Sequence, residues 1–433
     1  MKKCMALILT LLLAFGLCGC GISTGNHGGQ NNSDSAESGT NKQEEKTKAA
    51  DSGLKVGFLF PSDSNATDTI SRLACIDRMQ NETGLTDGQI LVTESVKESN
   101  CEKEVAAMVD KGAKLIFCKA KGYEDIIIEC ARTYPDVQFC QEDGSKAEEA
   151  GLDNYHTYYT RLYEAYHVAG IAAGKKLVHM LENGDAVPDQ NIGFVAIRNN
   201  PEAISCFTAF YTGIQRVYSN VHMLVRFVGS NGIYDNDGEA ARQLAAANVC
   251  LMGQFVSTTA VAAVCAENDI PLVGNDVNLI SEAPKDALTS AMADWSAYYS
   301  YAVKCVLNDK PIDKDWAKGY ADNVNIISQL NDKYVAEGTA SEIAKLEKSL
   351  REGKAKALNT EKMTIGGTSL KDLIKNDSKY KKYKKYVKDG AFRDSYDRSA
   401  PAFDLIIDGI EESTYDYLAD QNSEAETTEE EEY

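Results

Sequence analysis

Residues 54–96 read LKVGFLFPSDSNATDTISRLACIDRMQNETGLTDGQILVTESV. A short apolar run, Leu54–Pro61, precedes a longer amphipathic stretch over 66–82, and a second apolar run follows at Gln89–Val96. Runs this short suit buried strands, and the stretch between them is long enough for a helix. Together they make a strand–helix–strand unit, the repeating element of a parallel sheet covered by helices on both faces. Working outward, the same beat continues. Further strand candidates are Lys114–Ala120, Val137–Glu142 and His156–Arg161, and a second series comprises Asn191–Ile197, His222–Val228, Val249–Phe255, Pro271–Asn275 and Ala287–Ala293. Helix candidates lie at 66–82, 99–111, 122–133, 164–182, 202–217, 237–247, 257–267 and 295–308. Strand starts are roughly 25 residues apart, which suits right-handed crossovers. Two series of about five strands predict an α/β chain of two doubly wound, Rossmann-like lobes. Within 164–182, Gly170 and Gly174 are four apart on one helical face, which predicts tight helix-on-sheet packing.

Before this body the chain reads LLLAFGLCGCGISTGNHGGQNNSDSAESGTNKQEEKTKAAD. Lys2 and Lys3 precede an apolar run of about a dozen residues, short of the ~20 that cross a bilayer, so 1–19 reads as a signal peptide. Leu17-Cys18-Gly19-Cys20 resembles the lipobox of bacterial lipoproteins, which implies acylation (palmitate-type chains) of Cys20. Residues 20–52 lack any apolar pattern and read as a flexible tether. The expected location is the extracytoplasmic face of a bacterial cell membrane, held by lipid.

The formal charge is −20, and loss of Lys2 and Lys3 takes it to −22. Such a balance argues against nucleic acid and against electrostatic binding to an anionic membrane face. Beyond Cys20 there are nine cysteines, from Cys75 to Cys305, with no C-x-x-C or Cys/His ligand spacing. They read as small buried hydrophobes, with no metal site. No Gly-x-Ser-x-Gly elbow, Walker loop or Gly-x-Gly-x-x-Gly is present, so neither an enzyme nor a cofactor is expected.

Four segments, in order, resemble one family. YYTRLYEAYHVAGIAAGKK, NIGFVAIRNNPEAISCFTAFYTGIQ, PLVGNDVN and DALTSAMADWSAYYSYAVKCVL are similar to landmarks of the BMP (basic membrane protein) lipoproteins, over about 54–330 and thinning through about 367. The resemblance implies a type I periplasmic-binding-protein fold in which a hinge joins the lobes. It further implies a substrate-binding role for an ABC importer, with a permease as partner and a small polar ligand, most often a purine nucleoside. Ligand sensing for a membrane receptor, or a sugar or other metabolite as ligand, remain open alternatives. Lobe 1 would span 53–162, completed by about 279–322, and lobe 2 would span 163–278, completed by about 323–367. The hinge would lie near Arg161–Tyr163, Asn275–Asn278 and Asp322–Val324.

Ligands of such sheets bind outside the strand carboxyl ends, so polar residues there are the candidates. Asp276, beside Asn275, follows a strand, and the resemblance implies a ribose contact for it. Asp63, Ser64 and Asn65 follow the first strand, where they equally suit turn chemistry. The family's Phe-Asn pair is replaced by Ile70-Ser71. Lys119, Gly122 and Tyr123 follow the third strand, and Asn199 and Gln254 end strands of lobe 2. Tyr234 is the candidate stacking ring, and Arg161 sits at the first hinge segment. Trp295 reads as lobe packing. A helical C-terminal extension is expected over 368–420, where YKKYKKYVK spaces Tyr380, Tyr383 and Tyr386 three apart, and FDLIIDGI at 403–410 is apolar enough to dock. Residues 421–433 read as an acidic disordered tail.

Overall fold

The structure is a computed structural model describing residues 46–229, 232–395 and 398–414; the leader, Cys20, most of the tether and the acidic tail lie outside them. The first sheet uses β1 (Lys55–Leu59), β2 (Ile90–Thr93), β3 (Ala113–Cys118), β4 (Gln138–Glu142) and β5 (Tyr155–Thr160). The second uses β6 (Ile192–Ala196), β7 (Met223–Phe227), β8 (Met252–Phe255), β9 (Leu272–Asn275) and β10 (Ala287–Ala293). Late in the chain β11 (Asp315–Lys318) joins the first sheet, and β12 (Asn325–Ile327) and β17 (Ile410–Thr414) join the second. The numbers between fall to two small hairpins, β13 (Thr364–Ile365) with β14 (Thr368–Ser369) and β15 (Val387–Lys388) with β16 (Ala391–Phe392).

Strand order is β11-β5-β4-β3-β1-β2 in the first sheet and β12-β10-β9-β8-β6-β7-β17 in the second. Within these two sheets, among the described residues, every pairing is parallel except β10 with β12. Strands buried on both faces must be apolar throughout, and Lys55-Val-Gly-Phe-Leu59 is buried after its first residue. Register stacks Phe58 on Phe117, whose ring centroids lie 4.9 Å apart, at the heart of the first lobe.

The covering helices are α1 (Thr67–Thr83), α2 (Cys101–Asp110), α3 (Glu124–Thr133), α4 (Leu162–Asn183), α5 (Pro201–Gln215), α6 (Tyr234–Ala246), α7 (Ala260–Glu267) and α8 (Ser296–Leu307). α5 starts where Asn200 accepts the Ala203 N–H at 2.9 Å and Pro201 presets the first turn. α1 stops at Gly84, whose φ of 86° a side chain would resist. The glycines of α4 face another helix rather than a sheet. A Cβ on Gly170 would sit 2.5 Å from the Phe210 carbonyl and 2.9 Å from the Gly213 Cα of α5. Three glycines thus let two helix backbones touch.

Among the described residues the chain passes between the two sheets three times: at Arg161 after β5, at Asp294–Trp295 after β10, and over 319–324 between β11 and β12. The second crossing corrects the expectation of Asn275–Asn278. β10 is the fifth strand of the second sheet, as β5 is of the first, so crossing comes one strand later. Residues 276–286 only link β9 to its neighbour β10. α8 then packs on the first lobe, with Tyr299 edge-on to Phe58 at 5.1 Å and Arg78 of α1 paired with Asp294 at 3.1 Å.

The extension is less helical than expected. α9 (Thr339–Arg351) precedes it, and within it α10 (Leu370–Asn376) is followed by a 3₁₀ helix, Ser378–Tyr386. A three-residue tyrosine spacing matches three residues per turn, and Tyr380 and Tyr383 are buried. Phe403 and Ile407 dock, and β17 pairs in parallel with β7. Just before them the chain straps the lobes. The Ser399 N–H donates to Asp315 at 2.7 Å, the Ser399 hydroxyl donates to the Gly144 carbonyl at 3.0 Å, and Tyr163 donates to the Asp394 carbonyl at 3.0 Å. All nine body cysteines are buried and unpaired.

Candidate ligand site between the lobes

Both sheets reverse their order at the first strand of the lobe, β1 and β6. At such switch points flanking loops diverge and leave a crevice. Here the two crevices face each other across a cleft of about 430 Å³, within the range of small-molecule sites. The lobes touch: the Thr67 N–H at the start of α1 donates to the Ser257 carbonyl at 2.9 Å, and Tyr159 donates to Glu202 Oε1 at 2.7 Å.

Each strand end contributes side chains. α1 brings Asp68 and Arg72, the loop after β3 brings Lys119 to Tyr123, and β4 ends in Glu142 and Asp143. From the second lobe come Asn200 and Glu202, then Phe255 to Ser257, then Asn275 and Asp276, with Trp295 at the second crossing. Ala120, Asp143 and Asp276 adopt φ of 139°, 54° and 61°. Non-glycine residues in this half of the map are uncommon and cluster at functional sites.

Two ion pairs occupy the first-lobe wall. Lys119 pairs with Asp68. Arg72 forks onto Glu142, with Nε 3.0 Å from Oε2, and lies 4.6 Å above the Trp295 ring. Burial alone would raise the Asp68 carboxyl, but Lys119 and Arg72 outweigh it and hold the group below its usual range. Three other carboxyls lack such compensation, and burial favours their protonated forms. Burial pushes Asp276 up to about 7 against the opposing pull of Arg72. Asp143 is driven well up by burial and by Glu202, and Glu202 is raised by its own burial. Among the described residues Asp276 and Glu202 have no ion-pair partner, and Asp143 has only the Lys121 ammonium at 3.9 Å. Among the described residues, Asp143 Oδ1 and the Trp295 indole N–H are buried without a hydrogen-bond partner. Asn275 positions Asp276: its Nδ2 donates to Asp276 Oδ2 at 2.8 Å, while its Oδ1 accepts from Tyr166 at 2.9 Å.

Of the sequence candidates, Lys119, Gly122, Tyr123, Asn275 and Asp276 line this cleft. The others lie elsewhere. Asp63 accepts the Asn65 N–H at 2.9 Å and the Ser64 N–H bonds to Glu94 at 2.7 Å, so the three residues build a turn. Arg161 sits buried at the first crossing, bound to Glu164 at 3.0 Å and Asp322 at 3.5 Å. Asn199 bonds to Glu412 of β17 at 3.2 Å. Tyr234 opens α6 half-exposed, away from the cleft. Gln254 is buried behind the wall, its carbonyl accepting from Tyr166 at 2.7 Å. Asp68, Arg72, Glu142, Asp143 and Glu202 were not among the sequence candidates, and Trp295 was read as lobe packing. Asp143 was within reach, since it directly follows a strand candidate. Asp68 and Glu202 sit in first helical turns and Arg72 one turn further along α1, all facing the switch points, which only the strand order reveals.

Residues 71–359 match the model of a family described as PnrA-like ABC transporter substrate-binding proteins (Bmp). A purine-binding protein of Brucella abortus is 28% identical over 265 residues, covering 60% of this chain and 70% of the relative. An ABC transporter solute-binding protein from Aeropyrum pernix aligns with a TM-score of 0.59 at 15% identity, over 70% of this chain and 92% of that one. A transcriptional activator of the comK gene from Bacillus halodurans aligns at 0.57 and 16% identity, over 70% and 99% of the two chains. These two structural likenesses speak for the fold alone.

Proposed function

The chain belongs to the family of PnrA-like ABC transporter substrate-binding proteins, and from that premise we propose that its cleft holds an uncharged purine nucleoside for delivery to the permease. The carrying observation is the surplus of buried carboxyls. Asp143, Glu202 and Asp276 face the cleft beyond the two ion pairs. Buried carboxylates need hydrogen-bond donors or cations to stay ionised. Ribose hydroxyls and purine N–H groups supply such donors without adding negative charge. Trp295 and Phe255 offer aromatic surface, and the Trp295 N–H suits an acceptor on the base. The likeness to the Brucella purine-binding protein supports the same reading. A nucleoside 5′-phosphate is disfavoured, because its charge would enter beside three carboxyls.

Lipid attachment at Cys20 completes the proposal, tethering the receptor on the outer face. Among the described residues no helix is long and apolar enough to cross a membrane. Calorimetric titration with adenosine, guanosine, inosine, their 5′-monophosphates and a set of hexoses tests the ligand. Saturable binding of a nucleoside, with the monophosphate at least ~100-fold weaker, is expected. Tight binding of a monophosphate or a hexose, with no nucleoside bound, refutes it. Mass spectrometry of the membrane-extracted N-terminus tests acylation, and an unmodified Cys20 refutes that part alone.

A further inference from the structure

The net charge of −20 averages two unlike parts. From Lys354 to Arg393 there are eleven lysines and one arginine against four carboxylates, Glu361, Asp372, Asp377 and Asp389, a formal +8; the remainder of the chain stands at −28. The densest part is the 3₁₀ helix Ser378–Tyr386. Such a helix has three edges, with side chains three apart eclipsed and about 6 Å from one another. One edge carries Tyr380, Tyr383 and Tyr386 and packs inward, the last two rings lying 6.0 and 5.5 Å from Phe392. The other two edges are mostly lysine: Lys381 and Lys384 follow Ser378 on one, and Lys379, Lys382 and Lys385 fill the other. All five are exposed. Only Lys382 has a carboxylate partner among the described residues, Asp404 at 3.6 Å. Lys379, Lys382 and Lys385 lean on the tyrosine rings at 5.4, 4.6 and 4.9 Å.

We propose that this lysine-faced extension is an electrostatic docking surface for an anionic phospholipid bilayer, which it meets face-on while the acidic remainder is held away. Three observations favour that partner. The patch is a ridge of exposed charges, fitted to a broad surface. It is built from lysine, a hydrated point charge, whereas bidentate recognition of one defined anion favours arginine. None of the exposed large apolar side chains falls between 354 and 393, so the apolar centre that protein interfaces use is missing there. Clusters of four to eight basic residues beside a membrane-held segment read as anionic-lipid binding. The whole-chain charge points the other way only because it sums both parts.

The test is co-sedimentation of the full chain carrying Cys20→Ser, so that no acyl chain contributes. Phosphatidylcholine vesicles are compared with vesicles of about 3:1 phosphatidylcholine to phosphatidylglycerol. Taking the ratio cancels any apolar contribution from the leader. Expected is about tenfold or greater preference for the anionic vesicles at low salt, abolished near ~0.5 M salt. The variant K379Q/K381Q/K384Q/K385Q, changed only at exposed positions, is expected to lose most of that preference while keeping the parent melting temperature. Equal partitioning onto the two vesicles, or a variant with undiminished preference, overturns the proposal. So does binding to soluble polyphosphate without any vesicle preference, since the surface would then read a free polyanion.

Discussion

Replacing Asp276 with asparagine separates what the cleft costs from what it does. Asp276 is 7% exposed and its carboxyl is pushed up to about 7, mainly by burial. An unfolded aspartate titrates near ~3.9. Between these values the folded protein holds a proton that the unfolded chain has released, so stability falls as pH rises through the window. The gap of about three pH units corresponds to about 4 kcal/mol, lost in full above the folded value. Asparagine keeps the shape, tolerates the φ of 61°, and can still accept from Asn275. The Asp276→Asn protein is therefore expected to match the parent near pH 4. At pH 8, without ligand, it should be more stable by up to about 4 kcal/mol. Ligand affinity should move the other way, since a charge-assisted hydrogen bond is worth about 1.5–3 kcal/mol, or roughly 10- to 150-fold. Urea titrations at pH 4, 6 and 8, paired with calorimetry of the nucleoside, read both effects. A variant with the parent's pH slope, or with unchanged nucleoside affinity, refutes the reasoning.

Arg72→Met should destabilise by about 3–5 kcal/mol in urea melts, because Glu142 is left buried without its partner, and adding Glu142→Gln should recover much of the loss. Gly213→Val should cost about 3 kcal/mol or more in thermal melts, since its Cβ would meet the His167 carbonyl of α4 where the backbones touch. Deleting 399–433 should lower the melting temperature and promote aggregation by light scattering, because it removes the Ser399 ties and Phe403 and uncovers the β7 edge. Trp295→Ala should weaken nucleoside binding at least ~10-fold by calorimetry, with loss of its face and its N–H.

The ten main strands and eight covering helices were legible in the sequence, because parallel strands buried on both faces leave continuous apolar runs that amphipathic stretches separate. β11, β12 and β17 were not. Asp315-Trp-Ala-Lys318 and Asn325-Ile-Ile327 are short edge strands with mixed polarity, and β17 reads Ile-Glu-Glu-Ser-Thr. Edge strands need no apolar pattern on their outer side. The second crossing was misplaced because nothing local distinguishes a loop between neighbouring strands from one between lobes. In the cleft, residues directly after a strand were reachable, as Lys119 and Asp276 were. Arg72 and Trp295 were not, because their roles arise from a contact between α1 and a crossing 223 positions later. Net charge misled in a simpler way, since a sum carries no information about where the lysines of 354–393 sit.

The most direct measurement is calorimetric titration of the purified protein with purine nucleosides beside native mass spectrometry of the same sample. One nucleoside bound per chain, unconverted, and weakened by Asp276→Asn at pH 8, is expected. A protein that takes no purine but saturates with a hexose or a phosphorylated ligand contradicts the reading of its buried carboxyls.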